Sequence, residues 1–401
     1  MPELVAITRR YDVEIDLVGF AGADGVLFTR DGCGFAGQGV AHRATISQAP
    51  EVLADIAVED HVGLPGCGPV AFGALPFLPD AAAEVVVPER ILGWAEDGTR
   101  WLTVIAPKRS APDTPQPISR HHLGEPVRPS SFEVSSSRPP ADWCGAVAEA
   151  TQRMRAGDLE KVVLAREVVV RADHPIPVPP VLRRLQTAYP GCFLYAIDGF
   201  VGASPELLVS RYGNIVRSHP MAGTTARQGD PGSDARAAAA LLASPTYRRE
   251  HQVTIDMVHD TLLGFSSYID YEPEPSVVAL ANVAHLATLV EGRLSHPAVS
   301  VLELVRALHP TPAVCGRPRN AALETIAALE DLDRGRYAGT VGWVDAAGNG
   351  QWAVSIRCAQ LDGATAHLFA GNGIVVDSDP LTELAETRAK LQALLNAIVR
   401  P

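Results

Sequence analysis

The sequence predicts an α+β fold that contains extensive antiparallel sheet. Before residue 107, short β-branched and apolar runs lie between Gly and Asp turns, which is typical of consecutive strands. After residue 142, strand-like runs are mixed with segments whose apolar residues recur at helical spacing. The stretch between these two halves is rich in Pro and Ser and has almost no apolar periodicity. These observations favour one large domain with an exposed connection inside it.

The same patterns predict the elements in chain order. Strands are predicted at 25–28, 85–87, 101–105 and 161–171, a hairpin at 192–197 and 202–211, a helix at 247–263, strands at 338–344, 352–361 and 366–370, and a closing helix at 381–398. We therefore divide the chain into a β-rich part at 1–125, an exposed Pro/Ser-rich connection at 126–141, and a part at 142–401 that carries the candidate site residues.

Composition and charge exclude several classes of protein. A hydrophobic content of 47% over 401 residues is ordinary for a globular chain and too high for a disordered one. The net charge of -12 argues against binding to nucleic acid or to an anionic membrane, because both require a basic surface. No signal-peptide core or membrane span is apparent, and the six cysteines are scattered. We expect a cytoplasmic protein with free thiols rather than a disulfide or zinc site.

Lysine is rare in this chain. Of the 34 basic residues only Lys108, Lys161 and Lys390 are lysine, and the rest are arginine. Arginine stays protonated in proteins, whereas burial lowers the pKa of a lysine and can make it a general base. Lys161 begins a β-branched strand and is therefore a candidate base. The alternative is a lysine on an edge strand, where it discourages aggregation.

Glutamates at four positions are candidates for acid catalysis or metal binding. Glu206 follows a proline within an apolar strand, where burial would raise its pKa and make it a general acid; an outward-facing residue fits the alternation as well. Glu383 and Glu386 share one face of the closing helix, and with Glu250 from the other helix they could supply oxygen ligands for Mg²⁺. A solvated ion pair between Glu386 and Lys390 explains the same spacing without a metal.

Three further positions could contact an anionic ligand. Arg357 lies in an apolar strand, so it needs either a structural carboxylate or a substrate as partner. The segment from Gly371 to Gly373 could present backbone N–H groups to an anion or form a plain turn. His285 lies in an apolar run, where a core histidine is the alternative to a site residue.

Taken in this order, the segments resemble the chorismate-utilising enzymes, the family of isochorismate, salicylate, anthranilate and aminodeoxychorismate synthases. The resemblance covers about 145–398 and is carried by KVVLAR (161–166), GASPELL (202–208), MAGT (221–224), REH (249–251), HLAT (285–288), LHPTPAVCGRPR (308–319), DRGRYAG (333–339), GNGQWAVSIRCA (348–359), AGNGIV (370–375) and ELAETRAK (383–390). Cys315 and Asn372 replace the small residues expected at their positions.

The resemblance implies a single large chorismate-binding α+β domain of two packed, largely antiparallel sheets with helices outside. It implies Lys161 as the base that activates water for attack at C2 of chorismate, and Glu206 as the acid that protonates the departing C4 hydroxyl. It implies Mg²⁺ as cofactor. The remaining roles implied are metal ligands Glu250, Glu383 and Glu386, contacts to the pyruvyl carboxylate from Tyr337 and Arg357, the pocket around ring carboxylate and metal from Gly223, Thr224, Gly373 and Lys390, and site-lining His285 and Thr288.

Within the family, a lysine at 161 favours the branch that adds water, so no amidotransferase subunit is expected. The segments at 308–319 and 341–352 are most similar to isochorismate synthases, which implies a reversible isomerisation of chorismate that feeds siderophore or menaquinone synthesis. The alternatives are a salicylate synthase, which also eliminates pyruvate, and a non-catalytic relative that only binds chorismate.

Overall fold

The computed structural model describes residues 3–13, 16–109 and 128–400. The strands in chain order are β1 (Leu4–Arg10), β2 (Val26–Arg30), β3 (Cys33–Gln38), β4 (His42–Thr45), β5 (Ala57–Asp60), β6 (Val70–Leu75), β7 (Glu84–Val87), β8 (Arg90–Trp94), β9 (Arg100–Pro107), β10 (Phe132–Ser136), β11 (Lys161–Ala172), β12 (Phe193–Ile197), β13 (Phe200–Ser204), β14 (Leu207–Tyr212), β15 (Ile215–His219), β16 (Met221–Ala226), β17 (Ser266–Tyr271), β18 (Ser276–Ala279), β19 (Val283–Ala287), β20 (Val290–Leu294), β21 (Gly316–Arg317), β22 (Thr340–Asp345), β23 (Gly350–Val354), β24 (Cys358–Asp362) and β25 (Thr365–Ile374). The helices are α1 (Leu17–Ala21), α2 (Ala49–Ala54), α3 (Pro140–Ala156), α4 (Val178–Ala188), α5 (Pro231–Ala243), α6 (Pro245–Leu263), α7 (Val301–Leu308), α8 (Arg319–Leu329) and α9 (Pro380–Val399).

The strands form two large sheets and one small one. The first sheet has 13 strands in the order β10-β11-β25-β24-β13-β12-β2-β3-β8-β9-β1-β5, with β21 beside β11. The second has nine, in the order β17-β20-β15-β14-β23-β22-β6-β7-β4, and the third is β16-β19-β18. Among the described strands, β1 and β5 make the one parallel pair. The predicted α+β class with largely antiparallel sheet is confirmed.

The two large sheets pack face to face over an aromatic core. Phe35 of the first sheet lies 4.8 Å from Trp343 and 6.0 Å from Phe72 of the second, measured between ring centroids. The outer face of the first sheet is covered by helices, because Leu182 of α4 and Leu394 of α9 belong to a second buried cluster with its strands. Helices α4 and α9 thus lie outside the paired sheets, as the resemblance implies.

Two predicted strands are each divided between the large sheets. The predicted strand at 202–211 is β13 in the first sheet and β14 in the second, and the predicted strand at 352–361 is β24 and β23. The chain crosses from one sheet to the other at Pro205 and at Arg357, and we call these two places the crossings. Pro205 has no N–H for the hydrogen bonds between strands, and Arg357 adopts a φ of 54°, so neither crossing can continue as regular strand. The crossings are neighbours, since the Ala203 N–H donates to the Arg357 carbonyl and the Val354 N–H to the Glu206 carbonyl, both over 3.1 Å.

The predicted connection is only partly described. Residues 110–127 lie outside the described residues, and they include the first two positions of the predicted connection at 126–141. The described remainder contains β10, which pairs with β11 from Phe132 opposite Ala172 to Ser136 opposite Val168, and α3 begins at Pro140. No helix in the described ranges is long and apolar enough to cross a membrane.

Candidate active site

A cavity of about 1130 Å³ opens between the start of β11, the end of β25, helices α6 and α9, and the two strand crossings. All predicted site residues except Thr288 line it: Lys161, Glu206, Gly223, Thr224, Glu250, His285, Tyr337, Arg357, Gly373, Glu383, Glu386 and Lys390. These residues are up to 229 positions apart in the chain, from 161 to 390. The fold therefore brings together at one cavity almost the whole set that the sequence singles out.

Lys161 lies at the inner end of β11 and is 8% exposed. β11 is not an edge strand at this end, because Lys161 is opposite Arg317 of β21 and the next residue is opposite Ile374 of β25. The interpretation of Lys161 as an edge-strand lysine is therefore wrong. Its Nζ lies 2.6 Å from Oε1 of Glu250, so base candidate and metal-ligand candidate form an ion pair.

Gly373 makes room for the Lys161 side chain. It is opposite Val163 on the neighbouring strand β25. A Cβ at position 373 would lie 2.6 Å from Cε of Lys161, 3.2 Å from its Nζ and 3.5 Å from Oε1 of Glu250. A side chain here would displace the amine from its observed position, so the glycine permits the close approach of the lysine.

Glu206 lies at the crossing between β13 and β14 and is 3% exposed. The interpretation as an outward-facing strand residue is therefore wrong. Burial raises the pKa of the Glu206 carboxyl to about 7, although the Met221 N–H, which donates to Oε1 over 3.4 Å, and the charges of Lys161 and Arg357 lower it. A substantial fraction of this carboxyl is protonated near neutral pH, which is the state a general acid requires.

Arg357 lies at the second crossing and is 7% exposed. In the part of the chain that the structure describes it has no carboxylate partner, and its buried Nε has no hydrogen-bond acceptor. Its Nη2 lies 3.2 Å from Nε2 of His285, whose Nδ1 lies 3.0 Å from Oγ1 of Thr224. Because a guanidinium only donates, Nε2 accepts and Nδ1 carries the proton. Burial and Arg357 hold the pKa of His285 well below its usual range, so the ring is neutral.

A buried guanidinium without an acidic partner is a candidate anion site. The structural ion pair, one of the two predicted explanations of Arg357, is not present among the described residues, which leaves a ligand as the partner. Tyr337 lines the same region; its ring stacks on Phe369 with centroids 5.4 Å apart, and burial raises its pKa, so its hydroxyl remains a donor. Gly223, with a φ of 78°, and Thr224 complete this wall.

The three candidate metal ligands each face a nitrogen or hydroxyl group. Glu250 pairs with Lys161, and Glu386 pairs with Lys390 over 2.7 Å. Glu383 accepts from Oγ of Ser378 over 2.7 Å and from Nδ2 of Asn372 over 2.9 Å. As arranged, the His, Cys, Asp and Glu side chains within residues 3–13, 16–109 and 128–400 form no group of three that could hold a metal ion.

The predicted Glu386–Lys390 ion pair is confirmed, but it is not a solvated one. Lys390 is 8% exposed and its Nζ also donates to the Gly371 carbonyl over 3.0 Å. Burial lowers the pKa of Lys390, and burial also raises that of Glu383.

Thr288 does not line the cavity. It is fully buried, and its Oγ1 lies 2.8 Å from Nε2 of His251, the residue after Glu250. Burial lowers the pKa of His251 to about 4, which keeps the ring neutral. Thr288 thus supports helix α6 behind the site. Tyr247, a cavity residue on the same helix, was not singled out by sequence, because a tyrosine at helical spacing gives no signal of its own.

Comparison with known proteins identifies relatives across almost the whole chain. The sequence profile of the family described as chorismate binding enzymes matches residues 37–399. Isochorismate synthase DhbC of Bacillus subtilis is 36% identical over 341 residues, which are 82% of this chain and 81% of that protein. The vibriobactin-specific isochorismate synthase of Vibrio cholerae is 35% identical over 334 residues, or 82% of this chain and 79% of that protein.

The fold is also shared with a solved structure. MenF, the menaquinone-specific isochorismate synthase from Escherichia coli, superposes with a TM-score of 0.84 over 99% of this chain and 95% of that one, at 23% identity. At this identity the likeness concerns the fold alone, and it agrees with the two packed sheets described above.

Proposed function

The chain belongs to the chorismate-binding enzyme family, and we propose that its cavity converts chorismate to isochorismate. This is an isomerase reaction, the activity named for relatives over most of the chain. The observation that carries the proposal is that Lys161 and Glu206 line one cavity together with a buried Arg357 that lacks an acidic partner among the described residues. A base, an acid and an anion anchor are the groups that this reaction needs.

In the proposed reaction Lys161 takes a proton from water, whose oxygen adds to C2 of the ring. The ring double bonds shift, and the C4–O bond breaks as Glu206 gives its proton to the departing hydroxyl, which leaves as water. One water enters and one leaves, so the reaction is an isomerisation and is reversible with the roles of acid and base exchanged. The raised pKa of Glu206, about 7, supports its role as acid at neutral pH.

The anionic substrate requires local positive charge in a chain of net charge -12. We propose that Arg357 and the Tyr337 hydroxyl bind the pyruvyl carboxylate. The neutral His285 accepts from Arg357 and so orients its guanidinium without repelling it. Gly223, Thr224 and Lys390 lie around the ring carboxylate in this proposal.

We propose Mg²⁺ as the cofactor, held by Glu250, Glu383 and Glu386. The donor set fits a hard divalent cation, because all three groups are carboxylates on one cavity and the two oxygens of Glu383 are oriented by Ser378 and Asn372. When bound, Mg²⁺ would neutralise these carboxylates and offer a cationic face to one substrate carboxylate. Because each glutamate now faces a lysine, serine or asparagine, some of these contacts must open to admit the ion.

Water rather than ammonia is the nucleophile in this proposal, so it includes no amidotransferase subunit. We further propose a cytoplasmic enzyme whose product enters siderophore or menaquinone synthesis.

The test is incubation of the protein with chorismate and Mg²⁺, followed by separation of isochorismate, salicylate and pyruvate. Isochorismate is expected in equilibrium with chorismate and without stoichiometric pyruvate. Equal amounts of salicylate and pyruvate would instead identify a salicylate synthase. Chorismate binding with no product at all would identify a non-catalytic relative.

A further inference from the structure

Asn372 is buried behind the cavity wall. It lies on β25 between Gly371 and Gly373, which both line the cavity, and it is 1% exposed. Because successive residues of a strand point to opposite faces, its side chain is directed away from the cavity and toward α9. A buried amide in this position must find both donors and acceptors on that helix.

The Asn372 side-chain amide both donates and accepts hydrogen bonds. Its Nδ2 donates to Oε2 of Glu383 and to the Glu383 carbonyl, each over 2.9 Å. Its Oδ1 accepts from Nζ of Lys390 over 2.6 Å. Only an amide side chain can donate to a carboxylate and accept from an ammonium group at the same time with this shape. The residue therefore bridges an acid and a base seven positions apart on α9.

These contacts continue on either side of the amide. Ser378 donates to Oε1 of Glu383 over 2.7 Å, so each oxygen of that carboxylate has one donor and keeps a lone pair for another ligand. Lys390 in turn contacts Glu386 over 2.7 Å. Two carboxylates on the cavity are thus held in one network whose central member, Asn372, does not touch the cavity.

We propose that Asn372 is a positioning residue that fixes Glu383, Lys390 and, through Lys390, Glu386 as one unit for Mg²⁺ binding. The inference rests on the proposed function, in which the two glutamates hold the metal. Without the amide, Lys390 can turn to Glu383 itself, and the separation of the two carboxylates is no longer set. Loss of a residue that orients metal ligands typically lowers metal affinity by about 10–100-fold.

The experiment is calorimetric titration of Mg²⁺ alone into the full chain, for wild type, Asn372→Ala and Asn349→Ala. Asn349 is a matched control, since its buried amide (8% exposed) also both donates and accepts, to Asp345 and from Gly213, but does not line the cavity. We expect the Mg²⁺ dissociation constant to rise roughly 10–100-fold in Asn372→Ala and to stay unchanged in Asn349→Ala. At saturating Mg²⁺ the kcat of Asn372→Ala should recover to within about threefold of wild type, as expected when ligand orientation rather than chemistry is lost.

Two results would overturn the inference, and they differ. If wild type and Asn372→Ala bind Mg²⁺ equally, Asn372 does not position the ligands while the metal assignment stands. If wild type shows no Mg²⁺ binding at millimolar concentration, the assignment of Mg²⁺ in the proposed function is wrong. The inference about Asn372 is then wrong as well, because it depends on that assignment. Should Asn372→Ala fail to fold, Asn372→Ser removes the same bridge with a polar side chain, and the same two results decide.

Discussion

Replacing Glu206 with glutamine should stop turnover and at the same time stabilise the fold above neutral pH. Burial raises the pKa of this carboxyl from 4.5 to about 7, so the folded protein holds the proton more tightly than the unfolded chain. The resulting stabilisation is complete below pH 4.5 and is lost as the pH rises through 7. The raised pKa corresponds to about 3 kcal/mol of unfolding free energy lost at alkaline pH. A neutral glutamine of the same shape does not incur that loss.

The assay is urea denaturation at pH 5 and pH 8.5 in the presence of a chelator, with wild type, Glu206→Gln and an exposed control, Glu133→Gln. The difference in unfolding free energy, Glu206→Gln minus wild type, should be about 2–3 kcal/mol larger at pH 8.5 than at pH 5, which means a relatively more stable variant at pH 8.5. The control should show no such change. If Glu206→Gln gains nothing at pH 8.5, the carboxyl does not retain its proton in the folded state, and its role as general acid loses its physical basis.

Three further substitutions test the cavity. Lys161→Arg should lower kcat at least about a hundredfold, as should Lys161→Ala, because a guanidinium cannot accept the proton of water. A rate close to wild type in either variant would refute the base. Gly373→Ala should lower kcat because its Cβ would lie 2.6 Å from Cε of Lys161. The control Gly145→Ala has open space around it and should leave kcat unchanged. Equal rates in the two variants would argue against a fixed position of the lysine. Arg357→Lys should raise the KM for chorismate roughly tenfold, the effect of losing one charged hydrogen bond, and an unchanged KM would exclude Arg357 as the anchor.

Much of the site could be predicted because each residue type stands out against its local pattern. Lys161 and Arg357 are charged residues in apolar strands, and Glu206 follows a proline in another, so each is a candidate for a buried charge that needs a partner. The glutamates of α9 were predicted by their helical spacing. For these residues, residue type and periodicity single out candidates, and the resemblance to the chorismate-utilising enzymes chooses among the alternatives that they leave open.

The contacts between these residues could not be predicted, since they depend on the tertiary fold. No local pattern indicates that Glu250 pairs with Lys161 from a different element, or that Asn372 joins Glu383 to Lys390. The resemblance implies Thr288 as a site-lining residue, but its side chain faces His251. Which side of a short strand faces a cavity is set by register, and register depends on the strands beside it.

The strand crossings were also missed, for a related reason. A run of apolar residues such as 352–361 has the same pattern whether it stays in one sheet or passes into another. The left-handed φ of Arg357 is imposed by the packing of both sheets, because arginine has no intrinsic preference for it. β10 was also missed. It is a five-residue edge strand that pairs with β11 alone among the described strands, and none of its residues is fully buried, so its sequence lacks an apolar run.

The two crossings constrain how such an enzyme can diversify. In many folds the reactive residues sit on loops, which accept insertions and deletions freely. Here the proposed acid and the proposed anion anchor lie where two adjacent chain segments leave one sheet and enter the other, and backbone hydrogen bonds join the two segments. An inserted residue at either crossing would shift the register of strands in both sheets at once. New substrate preferences on this scaffold are therefore expected to arise by exchange of single side chains at constant length, and comparison of relatives around 205–206 and 355–357 should show substitutions without gaps.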